Sequence, residues 1–154
     1  MKSKQIKQRF GIILIGLFLL MGTSCLYGQS YNQSMLMNRE WVCRLPGKNY
    51  YSIEFFTDNE RISKLFVDDV KADVELNNSY YLSDEVVDTF QPDSVGKNKT
   101  GKYIVTLMEG KNGDNIVYTL NIAEILELTD TTLKTNHVQS GTILEFKIEE
   151  GANQ

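Results

Sequence analysis

The chain has 154 residues, two cysteines, one histidine and a formal net charge of −4, and its first acidic residue is Glu40. So few soft ligands exclude a four-cysteine or His-rich zinc site, and a disulfide framework is excluded with them. The acidic balance argues against nucleic acid and anionic membrane surfaces as partners, because both are held through basic patches.

At the N-terminus, Lys2, Lys4, Lys7 and Arg9 precede an unbroken apolar run at residues 10–21, FGIILIGLFLLM. Small residues follow in Gly22-Thr23-Ser24-Cys25. A basic start, a short apolar centre and a small-residue zone predict a cleaved secretory signal peptide. The run is well short of the roughly 20 residues that a membrane span needs. Removing residues 1–24 takes away four of the 16 basic groups and none of the 20 acids, leaving a mature net charge of −8.

Gly22-Thr23-Ser24-Cys25 resembles a lipobox, with Gly22 where that pattern prefers Leu. The resemblance implies cleavage before Cys25 and acylation of its thiol, a lipid anchor to a membrane. The alternative is ordinary cleavage after Gly28, leaving Gln29 first and the protein free in the periplasm or secreted. The residues after Cys25, LYGQSYNQS, carry no acidic run. For a lipidated chain this favours the inner, periplasmic leaflet of the outer membrane. Residues 25–38 then read as a polar tether leading to one domain at residues 39–150.

From Glu40 onward the hydrophobic period is two. EWVCRL places Trp41, Cys43 and Leu45 on one face. YYSIEFF alternates Tyr51, Ile53 and Phe55 with Ser52 and Glu54. GKYIVTLM sets Tyr103, Val105 and Leu107 together, and NIVYTLNI aligns Ile116, Tyr118, Leu120 and Ile122. TILEFKIE opposes Leu144, Phe146 and Ile148 to charged neighbours. Such alternation marks strands with one face on a core. Turn residues separate them at residues 46–49, 57–59, 110–113, 129–131 and 139–141. Eight or nine strands at this spacing predict an all-β fold, a sandwich or an up-and-down antiparallel barrel. DEVVDTF at residues 84–90 reads as a helical turn or two, or a short strand, behind a Ser83 cap. Residues 91–101, QPDSVGKNKTG, read as a polar loop able to form a mobile lip.

The pattern from Met37 to Ile148 resembles the lipocalin-like domains of small exported Bacteroidetes proteins. The features that carry it are Trp41 in the first strand, YYSIEFFTDNERI, and ILELTDTTLKTN followed by GTILEFKI as closing hairpins. The resemblance implies a barrel of about eight strands with an apolar interior and loops at its mouth. Asp93-Ser94-Val95 and Asp130-Thr131-Thr132 resemble the short O-glycosylation motif of periplasmic proteins in the same group.

Little in the chain points to catalysis. His137 is the sole histidine, so any Ser-His or Cys-His arrangement would have to use it. It ends TLKTNH, far in sequence from Cys43, and reads as a strand-end side chain. The adjacent pairs Asp68-Asp69, Asp84-Glu85 and Glu149-Glu150 point to opposite faces of a strand and read as solvated turns. No cofactor pattern is present, and Cys43 reads as a buried structural thiol. Trp41, Tyr51, Phe55, Tyr103, Tyr118 and Phe146 fall on the inferred inner faces. They either fill the core or line a cavity for a small apolar ligand. The expectation is a non-enzymatic domain holding such a ligand. The alternative is a structural lipoprotein docking into an envelope assembly such as a secretion apparatus, with Phe56, Tyr80, Tyr81 and Phe90 exposed for contact.

Overall fold

The computed structural model describes residues 29–112 and 115–149; the expected signal peptide, Cys25 and the Gly28 cleavage point lie outside the described residues. The fold is all-β. Its strands in chain order are β1 (Tyr31–Asn32), β2 (Glu40–Arg44), β3 (Tyr50–Phe56), β4 (Glu60–Val67), β5 (Val70–Ser83), β6 (Thr100–Gly101), β7 (Tyr103–Asn112), β8 (Asn115–Leu128), β9 (Thr132–His137) and β10 (Thr142–Lys147). The short β1 and β6 pair with each other, and the remaining eight strands close an antiparallel barrel. Each barrel strand pairs with its predecessor in the barrel and β10 returns to β2, so the topology is up-and-down, one of the two arrangements that the strand spacing admits.

The connections follow from local chemistry. Asp68 and Asp69, at φ 50° and 63°, supply the two consecutive left-handed residues that a tight β4–β5 turn needs. Irregularities between Lys64 and Phe66, and between Ile125 and Glu127, bend the long hairpins so that the sheet can close. Closure is weakest at the β10–β2 seam. These strands share a single register pair, Lys147 with Val42, whereas β9 and β10 share six. Across this seam the Arg44 guanidinium grips Glu149 through Nε–Oε1 at 2.6 Å and Nη2–Oε2 at 3.1 Å.

One end of the barrel is packed shut. Leu36, Trp41, Tyr80 and Leu82 are fully buried there, with Phe56, Ile104, Leu133 and Phe146 around them. Residues 31–38, expected to belong to a tether, are instead part of this plug. Gln33 is buried, and its Nε2 donates to Tyr80 Oη (2.6 Å) and to the Asp58 carbonyl (3.0 Å). Tyr80 Oη in turn donates to the Thr57 carbonyl at 2.8 Å, and burial pushes this phenol up to about 12. Residues 91–101 pack at the same end, not at the mouth. The Gln33 amide donates to the Lys99 carbonyl at 2.8 Å, and Lys99 Nζ reaches Asp58 at 2.8 Å. Gly101 lies so close to β5 that a Cβ there would stand 2.5 Å from the Ser83 nitrogen, which is why the smallest residue occupies the position. Residues 84–90 form neither helix nor strand; they carry Phe90 against Tyr81 at a ring separation of 5.3 Å.

The register corrects the assignment of inner faces. Directly opposed residues share a face. Trp41 and Cys43 point inward and oppose Glu54 and Ser52, so Glu54 and Phe56 are interior while Tyr51, Ile53 and Phe55 are exterior. Tyr80 and Leu82 are interior and oppose Thr106 and Ile104, which turns Tyr103, Val105 and Leu107 outward. Tyr118 opposes Glu109 on the outside and is 60% exposed. Phe56, Tyr80 and Tyr81, expected at the surface, are buried.

Candidate functional site

The half of the barrel away from the plug is not filled. Its interior positions on β3, β4, β5, β7 and β8 are Ser52 and Glu54, Arg61 and Ser63, Asn78, Thr106 and Met108, and Asn121. Together with Leu65, Val74 and Leu76 most of these line a cavity of about 280 Å³ that opens at the barrel mouth. Further out, Tyr50 and Val67 oppose each other on the same inner surface, and Val67 opposes Val70. Leu65, Val67, Val74 and Leu76 are each more than a third exposed, although they face the barrel axis. A closed core would have buried them; here the strands diverge and leave an apolar throat.

The floor of the throat is polar. Arg61 Nε donates to Glu54 Oε2 at 3.0 Å, and Ser63 Oγ donates to the same oxygen. The Arg61 and Glu54 side chains are 17% and 7% exposed, so the pair is largely desolvated. Geometry explains its survival: the two residues are diagonal neighbours on one face, two register pairs apart on the tightly connected β3 and β4, where Phe56 opposes Arg61 and Glu54 opposes Ser63. The Arg61 guanidinium also stands 5.9 Å from the Phe56 ring, which joins the polar floor to the apolar plug.

Two neighbouring polar atoms have no protein partner among the described residues. Thr106 Oγ1 and Asn121 Oδ1 are buried without a hydrogen bond, and their residues oppose each other across β7 and β8. Asn121 Nδ2 donates to Met108 Sδ at 3.2 Å, which assigns the free end of the amide as the acceptor. A buried polar group left unpaired costs about 1–3 kcal/mol. Thr106 lines the cavity and Asn121 borders the small void next to it, so a bound molecule or ordered water there would supply the missing contacts. Beneath them a small void of about 30 Å³, bounded by Arg61, Asn121, Ala123, Thr135, His137 and Phe146, has room for a water.

The six aromatics expected to line a ligand site are dispersed. Trp41 and Phe146 belong to the plug; the Trp41 indole donates to the Leu36 carbonyl at 2.9 Å, and the Arg39 guanidinium covers its ring at 5.8 Å. Tyr51 stacks outside on Phe66, with ring centroids 4.9 Å apart, beneath the Arg44 guanidinium at 3.8 Å. Phe55 and Tyr118 are also exterior, as is Tyr103, which stands 5.1 Å from Lys102 Nζ. The residues that do meet at the cavity, Glu54, Arg61, Ser63, Asn78 and Thr106, with Asn121 at the void beside it, do not stand out in the sequence. The available signal is a glutamate inside the apolar run YYSIEFF with an arginine seven positions later, across a short turn.

Cys43 is a free, buried thiol on the inner face of β2. Burial and the nearby Glu54 carboxylate raise its pKa, which keeps it protonated and unreactive at neutral pH. His137 Nδ1 lies 3.1 Å from Ser140 Oγ in the β9–β10 turn, and among the described residues no carboxylate hydrogen-bonds it. Among the described residues no group of three or more His, Cys, Asp or Glu side chains could hold a metal ion, and no helix is long and apolar enough to cross a membrane.

A second concavity, of about 530 Å³, follows the seam between Cys43–Pro46 on one side and Ile143–Glu145 on the other, and residues of both faces of the barrel wall line it. It is bridged by the Arg44–Glu149 pair. The interior throat, walled by four interior apolar side chains above a desolvated ion pair, is the candidate site. Comparison of the chain with protein-family models, curated proteins and solved structures finds no match.

Proposed function

We propose that this protein is an exported, non-enzymatic barrel that holds one small, largely apolar molecule in its open half. The observation that carries the reading is the 280 Å³ interior cavity, apolar at the throat and polar at the floor. That size suits a small ligand, just below the roughly 300–1,000 Å³ typical of pockets for drug-sized molecules. An eight-stranded barrel leaves room for about one such molecule. The lipocalin-like resemblance supports the same reading, and so does an antiparallel up-and-down barrel plugged at one end.

The uncharged fluorescent dye prodan tests it. One molecule is expected to bind per chain, with a blue-shifted emission. Leu76→Asp, at a partly exposed position on the cavity wall, is expected to weaken binding about tenfold or more without lowering the melting temperature. Equal binding by both forms would place the dye elsewhere and defeat the proposal.

Export rests on the N-terminal pattern, and acylation on Cys25. Intact mass of the mature protein separates the two cleavage readings. A chain starting at Cys25 and carrying acyl mass is expected; an unmodified chain starting at Gln29 would remove the lipid anchor and leave a periplasmic or secreted protein.

One observation favours a second reading, docking into an envelope assembly. Tyr51, Ile53, Phe55, Ile62 and Phe66 form a mostly apolar strip on the outer face of β3 and β4, with Lys64 between Ile62 and Phe66. Absence of any ligand uptake by the cavity would shift weight to that strip.

A further inference from the structure

Resting on the cavity's role as a ligand site, we infer that its occupant is a single-chain amphiphile bound head-inward, with an uncharged head that both donates and accepts hydrogen bonds. Three features of the floor define that head.

The first is charge. Of the charged residues lining the cavity, Lys64 belongs to the outer face of β4, opposite Ile53, while the two on the floor, Glu54 and Arg61, are already paired at 3.0 Å and largely desolvated. A carboxylate head would have to share Arg61 with Glu54 and would leave a net negative charge in the barrel. An ammonium head would leave a net positive one. Either uncompensated charge is costly in a desolvated site, whereas a neutral head leaves the pair balanced.

The second is the set of free hydrogen-bonding groups. Asn121 Oδ1 is a buried acceptor without a donor among the described residues, and Thr106 Oγ1, on a residue 1% exposed, is unpartnered in both roles. Among the described residues Arg61 makes its hydrogen bond through Nε alone, so its Nη groups remain as donors beside them. The floor thus offers both donors and acceptors. An ionised carboxylate accepts only and gives Asn121 nothing, and a quaternary ammonium does neither. Hydroxyls or a primary amide satisfy both.

The third is orientation. Polarity increases inward, from the exposed Leu65, Val74 and Leu76 at the throat to Arg61, Thr106 and Asn121 below. An amphiphile satisfies this gradient only with its head buried and its tail along the throat.

The test compares three probes that share a ten-carbon chain: monodecanoylglycerol, decanoate and decyltrimethylammonium. Each competes against prodan below its micelle concentration, on the mature chain. The glycerol ester is expected to bind about tenfold tighter than either charged probe, because a site built for hydrogen bonding rejects a head that leaves its groups unpaired. Asn121→Leu is expected to reduce the ester's affinity about five- to tenfold while leaving decanoate unchanged, and Thr106→Val, which removes a donor as well as an acceptor, to reduce the ester's affinity by more than that of decanoate. Glu54→Gln, which releases Arg61, is expected to raise decanoate affinity relative to the ester. Decanoate binding as tightly as the ester to the unaltered protein would overturn the inference, as would variants that weaken all three probes equally. Uptake of prodan without uptake of any of the three would overturn it while leaving the ligand-binding reading intact. Failure of prodan itself would remove both.

Discussion

Trp41→Ala is expected to destabilise the protein by about 3–5 kcal/mol. Trp41 is fully buried and is the largest side chain in the plug. Its removal leaves a cavity where Leu36, Phe56 and Phe146 cannot close in, because each is held by a different part of the fold: the N-terminal segment, β3 and β10. It also takes the indole N–H from the Leu36 carbonyl, a contact of 2.9 Å that fastens residues 31–38 to the barrel end. Trp41→Phe separates the two contributions. It keeps most of the packing and loses the hydrogen bond, so a smaller loss of about 1–2 kcal/mol is expected. Urea unfolding followed by far-ultraviolet circular dichroism measures both without relying on tryptophan emission. A loss below about 1 kcal/mol for the alanine variant would mean that the plug does not hold the barrel together.

Arg61→Met is expected to cost about 3 kcal/mol or more, since it strands Glu54 in the barrel without its cation. The residual exposure of Arg61, 17%, places the effect towards the lower end of the range for buried pairs. Ser63 continues to donate to the carboxylate but brings no charge. The informative comparison is the double variant Glu54→Leu with Arg61→Met, which replaces the pair by apolar side chains and is expected to recover most of the lost stability. Recovery of stability together with loss of ligand affinity would show a pair retained for the site and not for the fold. A single variant no less stable than the parent would mean that the pair is effectively solvated.

Strand content and most turn positions were legible before any coordinates. A two-residue period with turn residues at regular intervals admits few solutions, and the up-and-down barrel is among the simplest. What the period did not determine is its phase. In YYSIEFF both faces carry apolar side chains, so alternation alone cannot say whether Glu54 or Ile53 points inward; burial by neighbours decides. Trp41 anchors β2, and register then carries its facing to β3, placing Glu54 inside against the expectation that a charged residue faces water. The same propagation turned Tyr103 and Tyr118 outward.

The candidate site was illegible for a related reason. It consists of polar side chains at interior positions, which a hydrophobic pattern assigns to the surface by default. Glu54 tolerates burial only because the β3–β4 hairpin brings Arg61 beside it, a pairing that depends on register and not on composition. The role of residues 31–38 and 91–101 was equally a tertiary matter. Their sequences are polar and turn-rich, and only the hydrogen bonds of Gln33 to Tyr80 and Asp58, and of Lys99 to Gln33 and Asp58, make them the closed end of a barrel. Local sequence thus determined that the chain forms strands and where it turns, because those choices depend on neighbours in sequence. Which side of each strand became the interior was decided by closure of the sheet, because that choice depends on partners far along the chain.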